Sequence, residues 1–186
     1  MIQEGLRARS RKLELETPQP ARDVEKLSPY DAVSSLAAIK SLPKGMVPLK
    51  LDWNESSIPP SPRVIEAITG FLSNGHHLNW YPELCAPKVR SALSVYTGVR
   101  ADSILVTNGS DDALDLVCRT YLEPHDDVVV AWPTYGHFLI YVKARGVQPR
   151  MALPEDPFAI PTATILDVIR PDTKLVYIPS PNNPTG

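Results

Sequence analysis

The sequence predicts an α/β protein: a mostly parallel sheet with helices on both faces, preceded by an N-terminal arm and helices. Three observations carry this. From residue 84 onward, short apolar runs alternate with stripes of helical period. The run at 128–132 is continuously apolar, as suits a strand buried on both faces. Polar motifs rich in Gly and Asn follow the runs, and sheets of this kind bind ligands beyond the carboxyl ends of their strands.

In chain order, residues 1–26 are charged and lack a sustained apolar period, which predicts a flexible arm. Residues 27–83 form an N-terminal segment. Leu27-Ser-Pro-Tyr30 opens a short helix carrying Leu36, Ala37 and Ile39, and residues 47–53 suit a short strand. After a turn-rich link, Ser61 offers an N-cap with Pro62 in the first helical position. The helix that follows places Val64, Ile65, Ile68, Phe71 and Leu72 on one face. Residues 84–186 then read as the first half of a larger domain. Val89, Ala92, Leu93 and Tyr96 make a helical stripe stopped by Gly98, and residues 104–107 make a short apolar strand. Ala113, Leu114, Val117, Cys118, Tyr121 and Leu122 form the next stripe, before the strand at 128–132. Tyr135, Phe138, Leu139 and Val142 form another, ended at Gly146. A strand at 148–153, a short helix with Ile165, Leu166 and Ile169, and a strand at 174–178 complete the pattern.

Composition narrows the function classes. The 186 residues are 43% hydrophobic and 22% charged, which suits a soluble globular chain. A net charge of -2 supplies no electrostatic reason to bind nucleic acid or an acidic membrane surface. No apolar run approaches the length of a membrane span, and the first twenty residues hold no apolar core of a secretory signal. Cys85 and Cys118 form no CxxC or metal spacing, so two free thiols in a reducing cytoplasm are expected. The 20 prolines cluster at element ends and act as punctuation.

Four stretches carry candidate chemistry. Thr107-Asn-Gly-Ser-Asp-Asp112 follows a strand and opens a helix. Its free N–H groups and helix dipole can hold an anion such as a phosphate. The plainer reading is that Ser110 is an N-cap while Asp111 and Asp112 favour the dipole. Trp132-Pro-Thr-Tyr-Gly-His-Phe138 also sits at a strand end. Tyr135 can lay its ring on a flat heteroaromatic ligand, or simply begin the apolar stripe of the next helix. His137, a lone histidine, is assigned no role. Pro181-Asn-Asn-Pro-Thr-Gly186 aims two amides from a rigid loop, or is a plain turn. Asn79-Trp-Tyr-Pro-Glu83 presents Tyr81 from a loop, as ligand or as packing.

Together these motifs resemble the class I/II aminotransferases of pyridoxal phosphate (PLP) fold type I, and within them the histidinol-phosphate branch. The resemblance rests on LSPY at 27–30, LDWNES at 51–56, YPE at 81–83, NGSDD at 108–112, PTYG at 133–136 and SPNNPTG at 180–186. It implies PLP as cofactor. The backbone around Ser110 and Asp111 would bind its phosphate, Tyr135 would stack on its ring and Asn183 would meet its phenolic oxygen. Tyr81 would reach the phosphate in the other subunit of a homodimer. Tyr30 and Asn54 would lie near the substrate. The implied reaction is transamination between an amino acid or amino-alcohol phosphate, of the histidinol-phosphate type, and 2-oxoglutarate. NESS at 54–57 and Phe138 depart from the usual family pattern and bear on the substrate.

In that family the Schiff-base lysine, its acidic partner and the substrate-gripping arginine all follow the NNPTG loop. The chain as given is therefore expected to be inactive alone, with no catalytic residue of its own and no metal. Lys143 and Lys174 fall away from strand carboxyl ends. Two other readings stay open: a non-catalytic phosphate- or PLP-binding or interaction remnant, and part of a threonine-phosphate-decarboxylase-like lyase.

Overall fold

The computed structural model describes residues 19–28, 41–46, 49, 53–75, 78–156, 158–159 and 162–186. Tyr30, the expected helix over 27–39 and nearly all of the expected strand at 47–53 lie outside them. The chain divides into two compact units, residues 29–107 and residues 1–28 with 108–186. The sequence placed its boundary at residue 84, so the stretch 84–107 groups with the preceding segment instead.

The unit containing residues 108–186 holds the sheet. Its elements are helix α1 (Arg22–Glu25), helix α4 (Gly109–Tyr121), strand β1 (Asp127–Ala131), helix α5 (His137–Ala144), strand β2 (Arg150–Ala152), helix α6 (Thr162–Val168) and strand β3 (Thr173–Tyr177). Helices α2 (Pro62–Ser73) and α3 (Pro87–Thr97) belong to the other unit. The three strands are all parallel in the order β2-β1-β3. Val129 pairs with Arg150, and Val128 with Leu175.

The central position of β1 follows from its composition. Val128, Val129 and Val130 are fully buried, and alternate side chains feed opposite faces. Val128 and Val130 join Cys118, Leu122, Phe138, Val142 and Val147 under α4 and α5. Val129 and Ala131 join Ala152 and Ile165 under α6. Helices thus cover both faces, as the sequence predicts. Phe138 stacks on Tyr177 at 3.9 Å between ring centroids, tying α5 to β3.

The amino ends of the strands are tied by side chains. Asp127, Arg150 and Thr173 are the first residues of β1, β2 and β3. The Arg150 guanidinium makes a two-pronged pair with the Asp127 carboxylate and also donates to the carbonyl of Val168. Thr173 donates its hydroxyl to the same carboxylate. The Arg150 guanidinium, above all, holds the Asp127 carboxyl below the usual carboxylate range.

Several sequence expectations need correction. The arm is structured in part: Arg22–Glu25 is helical, and a Cβ added at Gly146, just beyond α5, would lie 3.0 Å from Asp23 Oδ2. Residues 104–107 are in no ladder among the described residues, although Ile104 has an extended backbone (φ -109°, ψ 124°). A strand needs a neighbour as well as an apolar run, and none is described beside it. The strand at 148–153 shortens to β2. Ser61 precedes α2 but makes no side-chain capping bond. The apolar face of α2 stays roughly half exposed, from Val64 at 45% to Ile65 at 55%. No helix among the described residues is long and apolar enough to cross a membrane.

Candidate functional site

Three segments meet at the carboxyl ends of β1 and β3. The first is the start of α4. The helix begins two residues earlier than expected, at Gly109, with Asn108 as N-cap. Ser110 is therefore inside the first turn and is not the cap. Asp112 supplies the cap-like contact, its carboxylate accepting the Asn108 N–H at 2.9 Å. Gly109 has φ +81°, a left-handed conformation that suits glycine, and no atom lies within 4 Å of the place its Cβ would occupy. The first N–H groups of a helix have no acceptor inside it, so the start of this 13-residue helix can serve as an anion cradle.

The second segment is residues 132–137. Tyr135 stands just before α5 and is half-buried, which corrects the expectation that it starts the helical stripe. Its hydroxyl lies 3.2 Å from Asp111 Oδ2 and 2.5 Å from His137 Nδ1. His137 Nδ1 is also 3.4 Å from Asp111 Oδ2. The rings of Tyr135 and His137 meet edge to face, with centroids 4.9 Å apart at 63°. Sequence reasoning left His137 without a role. Its partner Asp111 is 26 positions away, and no local periodicity joins them.

The third segment is the loop 180–186, bound to the second by Asn182. Buried Thr134 donates its hydroxyl to Asn182 Oδ1 at 2.9 Å. Asn182 Nδ2 donates to the Pro133 carbonyl at 2.8 Å and to Thr185 Oγ1 at 2.7 Å. Both ends of this amide are thereby committed to the protein. The next amide, Asn183, is exposed and stays clear of that network. Burial, above all, raises the Tyr177 hydroxyl beneath this loop, so it stays protonated at neutral pH.

The remaining candidates lie in the other unit or outside the described residues. Tyr81 is fully exposed in an irregular loop, and Asn54 is exposed in a turn with φ 50°. In the sheet unit the described lysines are Lys26, Lys143 and Lys174. Lys26 pairs with Asp23, Lys143 sits in the last turn of α5, and Lys174 pairs with Asp126 before the amino end of β1. None stands at the carboxyl edge of the sheet. A cavity of about 300 Å³ lined by Ala131, Trp132, Phe158, Ile178 and Asn182 adjoins the loop. Ala131 belongs to the α6 face, and no residue of α4 lines this cavity. No cluster of potential metal ligands occurs among the described residues.

Fold and site together define a class first: α/β domains that receive a planar, phosphorylated ligand at the carboxyl edge of a parallel sheet. Comparison with known proteins narrows it. The family model for class I and II aminotransferases matches residues 47–186. Histidinol-phosphate aminotransferase of Methanosarcina mazei is 32% identical over 165 residues, covering 88% of this chain and 44% of that protein. Dihydroxyacetone phosphate transaminase of Campylobacter jejuni is 33% identical, covering 90% of this chain and 45% of that protein. Among solved structures, histidinol-phosphate aminotransferase from Sinorhizobium meliloti, in complex with pyridoxal-5'-phosphate, superposes with a TM-score of 0.62 at 25% identity, over 70% of this chain and 35% of that one. A Thermus thermophilus aspartate aminotransferase mutant superposes with a TM-score of 0.70 at 28% identity, over 91% of this chain and 47% of that one. The chain belongs to the class I and II aminotransferase family, and it spans less than half the length of these relatives.

Proposed function

We propose that this chain forms the PLP-binding part of an aminotransferase that acts on small phosphorylated substrates, of the histidinol-phosphate type, with 2-oxoglutarate as amino acceptor. One observation carries the reading. The first turn of α4 meets Tyr135 through Asp111, and the loop that carries the exposed Asn183 is tied to the same segment through Thr134 and Asn182. These are the anion cradle, the stacking face and the oxygen partner that a flat, polar, phosphorylated ring requires. The backbone supports the fit: Gly109 has φ +81°, and outside its chain neighbours and its own helix nothing lies within 4 Å of its Cβ position. The carboxylates nearby do not oppose a phosphate, because Asp112 faces the Asn108 N–H and Asp111 faces Tyr135 and His137.

PLP, when bound, supplies an electron sink for charge developing at the substrate Cα. The chain's residues bind and orient. Backbone N–H groups of Ser110 and Asp111 hold the phosphate, Tyr135 covers one ring face, and Asn183 donates to the phenolic oxygen. We further infer that Tyr81 reaches the phosphate across a homodimer, and that Tyr30 and Asn54 line the substrate site. The M. mazei and C. jejuni relatives are both named for phosphate-monoester substrates, which supports that substrate class. None of the described lysines of the sheet unit can move a proton at the bound ring, so the isolated chain is expected to bind PLP without transaminating. Titration of the chain with PLP, followed by cofactor absorbance, tests the reading. Saturable uptake that inorganic phosphate competes away is expected. No uptake, or uptake unchanged in Tyr135→Ala, would overturn it.

A further inference from the structure

The distances among Asp111, Tyr135 and His137 favour one arrangement of the protons they share. Its three polar atoms form a triangle with sides of 2.5, 3.2 and 3.4 Å. The phenol brings one proton and the carboxylate none. Were Nδ1 unprotonated, that single proton would face two acceptors, and Nδ1 and Oδ2 would oppose their lone pairs. With Nδ1 protonated, His137 donates to the Tyr135 oxygen and Tyr135 donates to Asp111. Each hydrogen then has an acceptor.

We propose that His137 is a positioning residue: its Nδ1–H holds the Tyr135 phenol against Asp111 and so sets the plane of the stacking ring. Three further observations support this. The imidazole side chain is only 20% exposed, which restricts its orientation. His137 begins α5 while Asp111 lies in the first turn of α4, so the cluster ties together the starts of the helices on either side of the ligand edge. Its edge-to-face contact with Tyr135 limits rotation of that ring. The inference rests on the PLP reading above, because the ring plane matters only if something stacks on it.

Two measurements on the full 186-residue chain test it. Long-range nitrogen–proton NMR of the histidine rings, without cofactor, reads the tautomer, with His137 assigned by its loss in His137→Asn. The Nδ1–H form is expected, and it is kept in Tyr135→Phe, where Nδ1 still faces the Asp111 carboxylate. PLP titration then reads the consequence. His137→Leu should weaken uptake about tenfold, in the range of one hydrogen bond. His137→Asn, whose amide N–H reaches the Nδ1 position, should restore most of it. The double variant Tyr135→Phe/His137→Leu should bind no worse than His137→Leu, because both changes break one unit. An Nε2–H tautomer in the wild type, wild-type affinity in His137→Leu, or losses that add in the double variant would each overturn the proposal. If His137→Leu does not fold, His137→Asn and Tyr135→Phe decide by the same criteria. Wild-type chain with the Nδ1–H signal but no PLP uptake would sink the cofactor reading, and the purpose given to His137 with it.

Discussion

Two adjacent asparagines of the 180–186 loop differ in their surroundings: Asn182 is bonded to Thr134 and Pro133, and Asn183 is exposed. The tandem amides of the motif are visible in the sequence, but their separation is not, because it depends on Thr134 and Pro133 lying 48 and 49 positions from Asn182. Asn182→Ala should cost about 1–3 kcal/mol of unfolding free energy, since it strands the partners of a part-buried amide. Asn183→Ala should leave the denaturation midpoint unchanged and weaken PLP uptake about tenfold. Equal effects of the two variants on both measurements would show that the division is wrong. The cysteines differ in the same way. Cys85 is exposed, whereas Cys118 is buried and its thiol is pushed up to about 11, first by desolvation. A thiol reagent at pH 8 should modify Cys85 within minutes and Cys118 only on unfolding. The sign of the linkage follows: the unfolded thiol ionises first, so Cys118 withdraws stability as pH rises from about 9 toward 11.

Helices and strands were legible wherever their partners are nearby in the chain. The stripe ending in Cys118 and Leu122 became α4, and Phe138 and Val142 became the buried face of α5. The continuous valines of β1 marked the central strand because only a strand covered on both faces can use them. Phe138→Ala should cost about 3–5 kcal/mol in denaturant unfolding, since it opens a cavity and removes the stack on Tyr177. A loss below about 1 kcal/mol would mean that the α5 face is not the core described. Residues 104–107 and the face of α2 went the other way. Their apolar patterns are clear, yet a strand without a ladder and a stripe left half exposed show that pattern alone does not supply a partner.

At the scale of the molecule, the sheet is fastened at one end and carries the candidate site at the other. The Asp127–Arg150–Thr173 network closes the amino ends of all three strands, and the candidate site occupies the carboxyl ends. The folded-state pKa of Asp127 is depressed, chiefly by Arg150, so its contribution is fully present above the unfolded carboxylate range near pH 4. It is lost as pH falls through the lower folded value. Asp127→Asn should therefore unfold more easily at pH 7 and show a shallower loss of stability below about pH 4 than wild type. An unchanged acid-unfolding profile would remove this network from the account. By itself the sequence determined the α/β class, the buried central strand and the cofactor motifs, because apolar period and turn chemistry are local properties. Tertiary structure alone decided which asparagine anchors the loop, that Asp112 and not Ser110 serves the α4 cap, and that His137 joins Asp111 and Tyr135. Those outcomes depend on which side chains from distant segments come within 3.5 Å of each other, and no local pattern encodes that distance.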